Sequence, residues 1–316
     1  MSILVYLLFY LCVLIFISAV VYRIVQYMRL PIHLRWELYP VPHEGKEKFQ
    51  YGGSYLEETD WWDKPRKISK IEELKTMFAE IVFLKATWEN NRSLWYATYP
   101  FHIGLYLISL SLILLLGAAI VQAVQAQPAI AETTLEQGLM GLTTVLAPIG
   151  LVICLLGAVA LLAKRMTDPG LANYSSFSHY FNLGAFVVVA GLALITWAAV
   201  DPSLEMTRAF FTNLLSANPQ PVTSPLLGTT LALGALLGAY IPLTHMSHFF
   251  MKYFLYHDIR WGDESSYEKK GVDQKLAVVL NYPVKWSAEH IGGDGTRTWA
   301  DIATTNPMDE SEKQSQ

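Results

Sequence analysis

The residues of this chain that are best suited to chemistry are its histidines, and their positions follow a pattern. Eight histidines occur in 316 residues. His102 and His179 open long apolar segments, His245 and His248 lie near the end of another, and His257 follows them. Ionisable side chains in membrane-spanning helices are rare and usually functional, because burying them in hydrocarbon costs a few kcal/mol at least. Because the three helices would meet the same face of the membrane at these residues, we expect their imidazoles to lie at a similar depth.

Two imidazoles on facing helices can supply the two axial nitrogens of a six-coordinate b-type haem in an apolar slot that excludes water. This is the interpretation that we favour for the histidines. One alternative is that each histidine is an interfacial residue whose ring reaches the headgroups. Another is a transition-metal site, which ranks lower because no carboxylate lies beside the histidines within the spans.

Composition and cysteine content exclude several other classes. Only 16% of the residues are charged and 53% are hydrophobic, which is too apolar for an ordinary soluble domain. Cys12 and Cys154 both lie in apolar runs, so the chain has no disulfide framework, no cysteine-ligated iron–sulfur cluster and no CxxCH haem attachment. A net charge of −4 gives no reason to expect nucleic acid binding.

The apolar residues form runs long enough to cross a bilayer, which takes roughly 20 residues of helix. The first run has no basic n-region and no small-residue cleavage site, so we expect a retained helix. The fold class predicted is an all-α membrane protein with a five-helix bundle, and no internal repeat of the kind found in transporters is visible. The five predicted spans are Ile3 to Met28, Phe101 to Val124, Gly138 to Ala163, Phe181 to Val200 and Leu226 to Phe250.

Lysine and arginine predict the orientation, because positively charged loops stay on the cytoplasmic side. Of 23 such residues, all but Arg208 fall at or beyond the ends that would share one side. The N-terminus is therefore predicted to be outside and the C-terminus cytoplasmic. The predicted domains are helix 1 (1–28), a cytoplasmic loop (29–96), a four-helix haem-binding region (97–260) and a cytoplasmic docking tail (261–316).

The segments between the spans carry further signals. Ser69 and Glu72 form a plausible capping box, and the apolar spacing after it predicts a short amphipathic helix on the membrane, on a partner or against the bundle itself. The outer loop 201–225 is poor in charge and suits a lid or a docking surface. Tryptophans in the first loop and the tail suggest interface anchors: Trp61, Trp62, Trp286 and Trp299.

Three motifs resemble those of a known family. Pro100–Gly104 (PFHIG) and Ile241–His248 (IPLTHMSH), with Leu161–Arg165 (LLAKR), resemble the gamma subunit, a membrane cytochrome b, of respiratory nitrate reductase. The first loop, with Tyr51–Tyr55 (YGGSY) and Asp60–Trp62 (DWW), is more similar to the DsrM and TmcC kind of subunit in sulfate-reducer membrane redox complexes. Those subunits sit beside a cytoplasmic iron–sulfur protein similar to the catalytic subunit of heterodisulfide reductase.

The resemblance implies a site. The haem b nearer the cytoplasm would have His102 and His248 as its axial, iron-binding ligands. His179 and His245 could hold a second haem, or His245 could bond a propionate or a quinone carbonyl, since three residues of helix would place it on the face of His248. Three residues could support the haem: Asn182 by orienting an imidazole, although an ordinary interhelical hydrogen bond is the simpler reading, and Lys164 and Arg165 by pairing propionates.

The chain also departs from that family. The positions where the nitrate reductase subunit has a second pair of histidines, toward the outside, are Leu112 and Thr230 here, and neither can ligate iron. The outer haem is therefore expected to be absent at that location. With only inner-side histidines, a single haem would not carry an electron across the whole membrane.

The function predicted is a multi-pass subunit of the cytoplasmic membrane that exchanges electrons between the menaquinone or quinone pool and a cytoplasmic iron–sulfur subunit through haem b, as in anaerobic respiration. No residue of the chain is expected to break covalent bonds in a substrate. An outer-side cytochrome c could also contact the complex. The rival hypothesis is a membrane anchor, or a proton-relay subunit without haem.

Overall fold

The computed structural model of the chain describes residues 2–29, 58–60, 64, 69–124, 134–248, 251, 272–286 and 291–306. The chain divides into two compact units, each described by itself. The first unit is Met1–Val20 with Met77–Met246, and the second is Val21–Thr76 with Ser247–Gln316.

Helices make up nearly all of the regular structure in the described residues. Five of them, which begin at Ser2, Arg92, Thr134, Phe177 and Pro225, are long and apolar enough to cross a membrane, which confirms the all-α, five-span prediction. Two 3-10 turns, Ile241–Leu243 and His245–Ser247, follow the last of these five helices. The helices are α1 Ser2–Met28, α2 Lys70–Val82, α3 Lys85–Asn90, α4 Arg92–Val124, α5 Thr134–Thr167, α6 Pro169–Ala172, α7 Phe177–Ala199, α8 Glu205–Leu215, α9 Pro225–Tyr240, α10 Val272–Leu280 and α11 Trp299–Thr304.

Helices α4 and α5 pack backbone to backbone because glycine occupies their crossing. A Cβ at Gly104 would lie within 3.0 Å of the backbone of Cys154, and one at Gly157 would lie equally close to the backbone of Phe101. Small residues allow such close approach between spanning helices, where van der Waals packing and not the hydrophobic effect holds helices together. The α4–α5 pair is therefore the rigid centre of the first unit.

One end of the first unit is closed by α8. The ring of Phe210 stacks on Tyr6 of α1 with centroids 4.6 Å apart, and Phe211 meets Phe9 edge to face at 5.4 Å. The same cluster includes the buried side chain of Leu115 of α4. The prediction of a lid or docking loop over 201–225 is thus corrected, because part of that segment is a packed helix that holds α1 against the bundle.

The opposite end of the first unit, which we call the basic end, joins the start of α4, the end of α5 and the start of α7. Lys164 Nζ donates to Ser93 Oγ at 2.7 Å, and the hydroxyl of Tyr180 donates to the carbonyl of Arg165 at 3.1 Å. The spans therefore alternate in direction, as short connections between neighbouring helices require.

Two helix boundaries differ most from the sequence prediction. Helix α4 begins at Arg92, so His102 lies ten residues inside it, and Pro148 stays within a continuous α5. The predicted fifth span ran to Phe250, but the α-helix ends at Tyr240. Pro242 sits in the 3-10 turn that follows, where its ring is tolerated and a continued α-helix would lose a hydrogen bond.

In the second unit, residues 282–286 and 291–304 form a small motif. Val284 N–H donates to the carbonyl of Arg297 at 2.8 Å, and Trp286 meets Trp299 edge to face at 6.0 Å. Asp301 accepts from the Thr298 backbone N–H at 2.8 Å and caps α11, and this hydrogen bond lowers the pKa of its carboxyl. Trp61, Trp62 and His257 lie outside the described residues.

The predicted amphipathic helix is confirmed as α2. It begins where the capping box places it, with Glu72 N–H donating to Ser69 Oγ at 3.4 Å. The apolar side chains of Ile71, Leu74 and Phe78 are exposed. The surface on which they lie, membrane or partner, stays a prediction.

Candidate functional site

His102 has a defined ring orientation within α4. Its Nδ1 lies 2.8 Å from the carbonyl oxygen of Thr98, one turn earlier. Since a carbonyl only accepts, Nδ1 must carry the proton, and Nε2 of the neutral ring carries the lone pair. Metal-binding histidines commonly have this second hydrogen bond from the far nitrogen, which fixes tautomer and ring plane. The donor chemistry of His102 therefore fits an axial iron ligand.

The packing of Phe101, the residue before His102, is apolar and tight, whereas His102 itself is half-buried. The neighbouring ring of Phe101 is buried against Phe186 of α7 at 5.1 Å, edge to face. The backbone of Phe101 is also the group that approaches Gly157. A ligand on this turn of α4 is therefore held by the closest helix contact in the first unit.

His179 has the opposite arrangement. It is the third residue of α7, and its Nδ1 accepts the backbone N–H of Ser176 at 3.0 Å in a capping box. The proton of the neutral ring is then on Nε2, which is a donor and not a ligand. To bind iron, His179 would have to give up a cap worth about 1 kcal/mol. This geometry favours a hydrogen-bonding role.

His179 and His245 are brought together at the basic end. Their ring centroids are 4.8 Å apart with planes inclined at 41°. Metal–imidazole bonds are about 2 Å long, so two rings on opposite faces of one iron would have centroids roughly 6 Å apart. The two rings are thus spaced for direct contact, and a haem between them would require them to separate.

The helical face predicted to be shared by His245 and His248 stays a prediction. His245 begins a 3-10 turn after an extended residue, Thr244. His248 belongs to the second unit, whereas His102 belongs to the first. Its role as the second axial ligand stays a prediction.

Asn182 joins α7 to α9. Its Oδ1 accepts the hydroxyl of Tyr240 at 2.8 Å, so the simpler reading of this residue, an interhelical hydrogen bond, is confirmed. The side chain is only 3% exposed, and its Nδ2 has no hydrogen-bond partner within the described part of the chain. A buried amide donor without an acceptor is costly, and such groups often mark a place for a ligand or a water.

Lys164 and Arg165 end α5 at the basic end and already have polar partners. Lys164 contacts Ser93 and lies 3.5 Å from Asp168, while Arg165 donates to Ser175 Oγ at 2.9 Å. These contacts are partly exposed, so they can exchange with an anionic group at little cost. Pairing with propionates stays a prediction.

The two positions that cannot ligate iron lie in the middle of the spans. Thr230 Oγ1 is 2.6 Å from Thr196 Oγ1, so a threonine pair joins α7 and α9 there. Leu112 is 43% exposed on α4. Neither side chain offers a nitrogen ligand at this depth.

A buried ion pair lies at the end that α8 closes, and sequence reasoning missed it. Arg208 of α8 bonds Glu136 of α5, and Glu136 is only 2% exposed. The signal was present: Arg208 is the single basic residue on its predicted side, and a charge in an apolar cluster needs a partner. Only the fold identifies Glu136, which is 72 residues away.

The described residues contain no group of three or more histidine, cysteine, aspartate or glutamate side chains placed to hold a metal ion. A haem with two imidazole ligands does not require one. Comparison of the chain with family models, curated proteins and solved structures gave no match. The family resemblance therefore rests on the quoted motifs alone.

Proposed function

We propose that the chain is a membrane cytochrome b subunit that exchanges electrons between the quinone pool and a cytoplasmic iron–sulfur protein. The observation that carries the proposal is the hydrogen bond from His102 Nδ1 to Thr98, which makes Nε2 the nitrogen with the lone pair in the neutral ring. His102 supplies one axial nitrogen, and His248, by resemblance, supplies the other.

Haem, when bound, supplies one-electron redox chemistry, and the chain supplies its environment. The Thr98 carbonyl keeps the His102 ring in the ligating tautomer. The packed α4–α5 crossing would hold the turn that carries this ligand. Lys164 and Arg165 are suitable partners for propionates at the basic end. Oxidation of one quinol releases two electrons and two protons, so two single-electron transfers balance each quinol.

The basic end faces the cytoplasm in this proposal, with the N-terminus outside. Within the described first unit, Lys85, Arg92, Lys164 and Arg165 belong to the basic end, whereas Arg208 lies at the other end and is paired with Glu136. A neutralised arginine on the outer side is compatible with the rule that keeps positive loops inside. The chain would then be a multi-pass protein of the cytoplasmic membrane.

The partner is a cytoplasmic iron–sulfur subunit similar to the catalytic subunit of heterodisulfide reductase, docked on the first loop and the tail. A cytochrome c on the outside is a further partner suggested by the resemblance. The rival function, an anchor or proton-relay subunit without haem, predicts no absorption from reduced b haem.

The test is reduction by quinol. The full chain in proteoliposomes is mixed anaerobically with a menaquinol analogue, and the absorption of reduced b haem is followed, with dithionite defining full reduction. We expect the quinol to reduce the haem, and we expect His102→Ala to abolish the signal. Haem that dithionite reduces and quinol does not would contradict the proposed quinone exchange, and absence of haem would leave the anchor.

A further inference from the structure

An open cavity of about 690 Å³ lies between α1, α7 and α9 in the first unit, and several of its lining side chains, such as Val188 and Leu236, are exposed. Its size falls within the range of roughly 300 to 1,000 Å³ typical of small-molecule sites. The lining is almost wholly apolar and includes Ile15, Phe181, Val188, Leu236, Tyr240 and Leu243. Along α7 the lining runs from Phe181 to Val189, which is about 12 Å of helix.

One end of the cavity is polar. Phe181 and Tyr240 meet there edge to face, with centroids 5.7 Å apart. The Tyr240 hydroxyl is bonded to Asn182, so the amide whose Nδ2 has no partner in the described residues lies beside this end. His179 lies one turn before Asn182 on α7, and the proton of its neutral ring is on Nε2. The groups available here are hydrogen-bond donors.

These features select the chemistry of an occupant. Among the described residues that line the cavity, none carries a charge. An anionic or zwitterionic headgroup would therefore find no partner in the lining, whereas a neutral ring fits beside the two aromatic side chains. A buried donor such as Asn182 Nδ2 is satisfied by a carbonyl oxygen. The remaining length suits a hydrocarbon tail.

We propose that this cavity is the quinone site of the chain, with a ring carbonyl accepting from Asn182 and the isoprenoid tail lying along α7 and α9. The identity of the ligand as a quinone rests on the proposed function. The location rests on the cavity, the orphaned amide and the uncharged lining. The site lies at the basic end, beside the His179–His245 pair. His102 lies in the same half of the first unit along the helix axes.

Glycines of α7 give a matched pair of variants. A Cβ at Gly184, which lines the cavity, meets nothing within 4 Å, so Gly184→Leu fills the cavity without a backbone clash. A Cβ at Gly191, two turns along the same helix and outside the lining, also meets nothing within 4 Å. Gly191→Leu therefore adds the same side chain to the same helix elsewhere. Asn182→Leu removes the donor at nearly constant volume.

The full chain is placed in quinone-free phosphatidylcholine nanodiscs and titrated with a hydroxyquinoline N-oxide quinol analogue, whose fluorescence is quenched on binding. Reduced-minus-oxidised spectra are recorded on every preparation. We expect Gly184→Leu and Asn182→Leu each to weaken binding by about tenfold or more, as loss of shape fit or of one buried hydrogen bond requires. Gly191→Leu should bind within about twofold of the wild type.

The outcomes separate this inference from the proposed function. Normal haem spectra with undiminished binding in both Gly184→Leu and Asn182→Leu would overturn the cavity assignment while leaving the cytochrome intact. If Gly184→Leu alone weakened binding and Asn182→Leu did not, the cavity would be an acyl-chain groove and the assignment of the carbonyl would be wrong. Tight analogue binding that depends on both residues in a chain without haem would support the site and reject the cytochrome.

Discussion

At the residue scale, the partner of one ring nitrogen decides what a histidine can do. His102 donates from Nδ1 to a carbonyl, so its other nitrogen can bind a metal. His179 accepts at Nδ1 from a backbone N–H, so its other nitrogen donates. Two histidines of neighbouring spans therefore have different chemistry, and the difference comes from local backbone geometry. The expected similar depth of these two rings is wrong, because Phe101, beside His102, contacts Phe186, which lies seven residues or about 10 Å of helix beyond His179.

His179→Ala tests this distinction. We expect the haem content to be unchanged and the stability of the chain to fall by about 1 kcal/mol, because only a helix cap is lost. The measurements are haem per protein and the thermal unfolding midpoint. Ser176→Ala is the matched control, since it removes the other half of the same cap. Loss of a haem in His179→Ala alone would show that this ring ligates iron.

The buried pair of Glu136 and Arg208 makes a second prediction. Removing one member leaves an uncompensated buried charge, so Glu136→Gln should lower stability by roughly 3–5 kcal/mol. The double variant Glu136→Gln with Arg208→Met should recover part of that loss, because no charge remains buried. Thermal unfolding of the wild type, Glu136→Gln, Arg208→Met and the double variant in one detergent gives the coupling. Strictly additive effects would contradict the pairing.

At the element scale, the close crossing of α4 and α5 is what positions the turn that carries His102. Gly157→Ala places a Cβ within 3.0 Å of the Phe101 backbone, which must move together with the neighbouring His102. We expect this variant to retain less haem during purification than the wild type. Gly141→Ala, on the same helix with nothing within 4 Å of its Cβ, should retain the wild-type amount. Equal haem retention in both variants would mean that the crossing does not position the ligand.

The presence of the five spanning helices could be predicted from the sequence, whereas the residues at which they begin and end could be predicted only in part. Apolar runs predict spanning helices, because bilayer thickness sets the length that must be apolar. The ends of α4 and α9 are set by local contacts instead: Lys164 meets the start of α4, and Pro242 ends the α-helix of α9. Helix α8 carries polar residues on one face, so its burial became visible only with Tyr6 and Phe9 in place.

The site could be predicted in part for the same reason. His102, His179 and Asn182 could be identified as candidate functional residues because histidine and asparagine are rare in membrane spans. Their hydrogen bonds could not be assigned, since the nitrogen that accepts or donates depends on helix ends known only from the fold. The cavity beside Tyr240 has no sequence signature, because its lining residues are typical of any spanning helix.

At the scale of the whole molecule, the alternation of the spans places the basic end and the α8 end on opposite sides. The native cysteines, Cys12 and Cys154, are buried, so they give little background in thiol labelling. Ser216→Cys at the α8 end should react with a membrane-impermeant maleimide in intact cells. Tyr174→Cys at the basic end should react only after the membrane is permeabilised. The reverse pattern would invert the proposed orientation.

The most direct test of the account is the haem content of the chain itself. A dithionite-reduced minus oxidised spectrum with pyridine haemochrome quantitation is recorded on the purified full chain, on His102→Ala and on His248→Ala. We predict one b haem per chain in the wild type and its loss in both variants. A wild-type chain without haem, or haem retained after removal of His102, would contradict it.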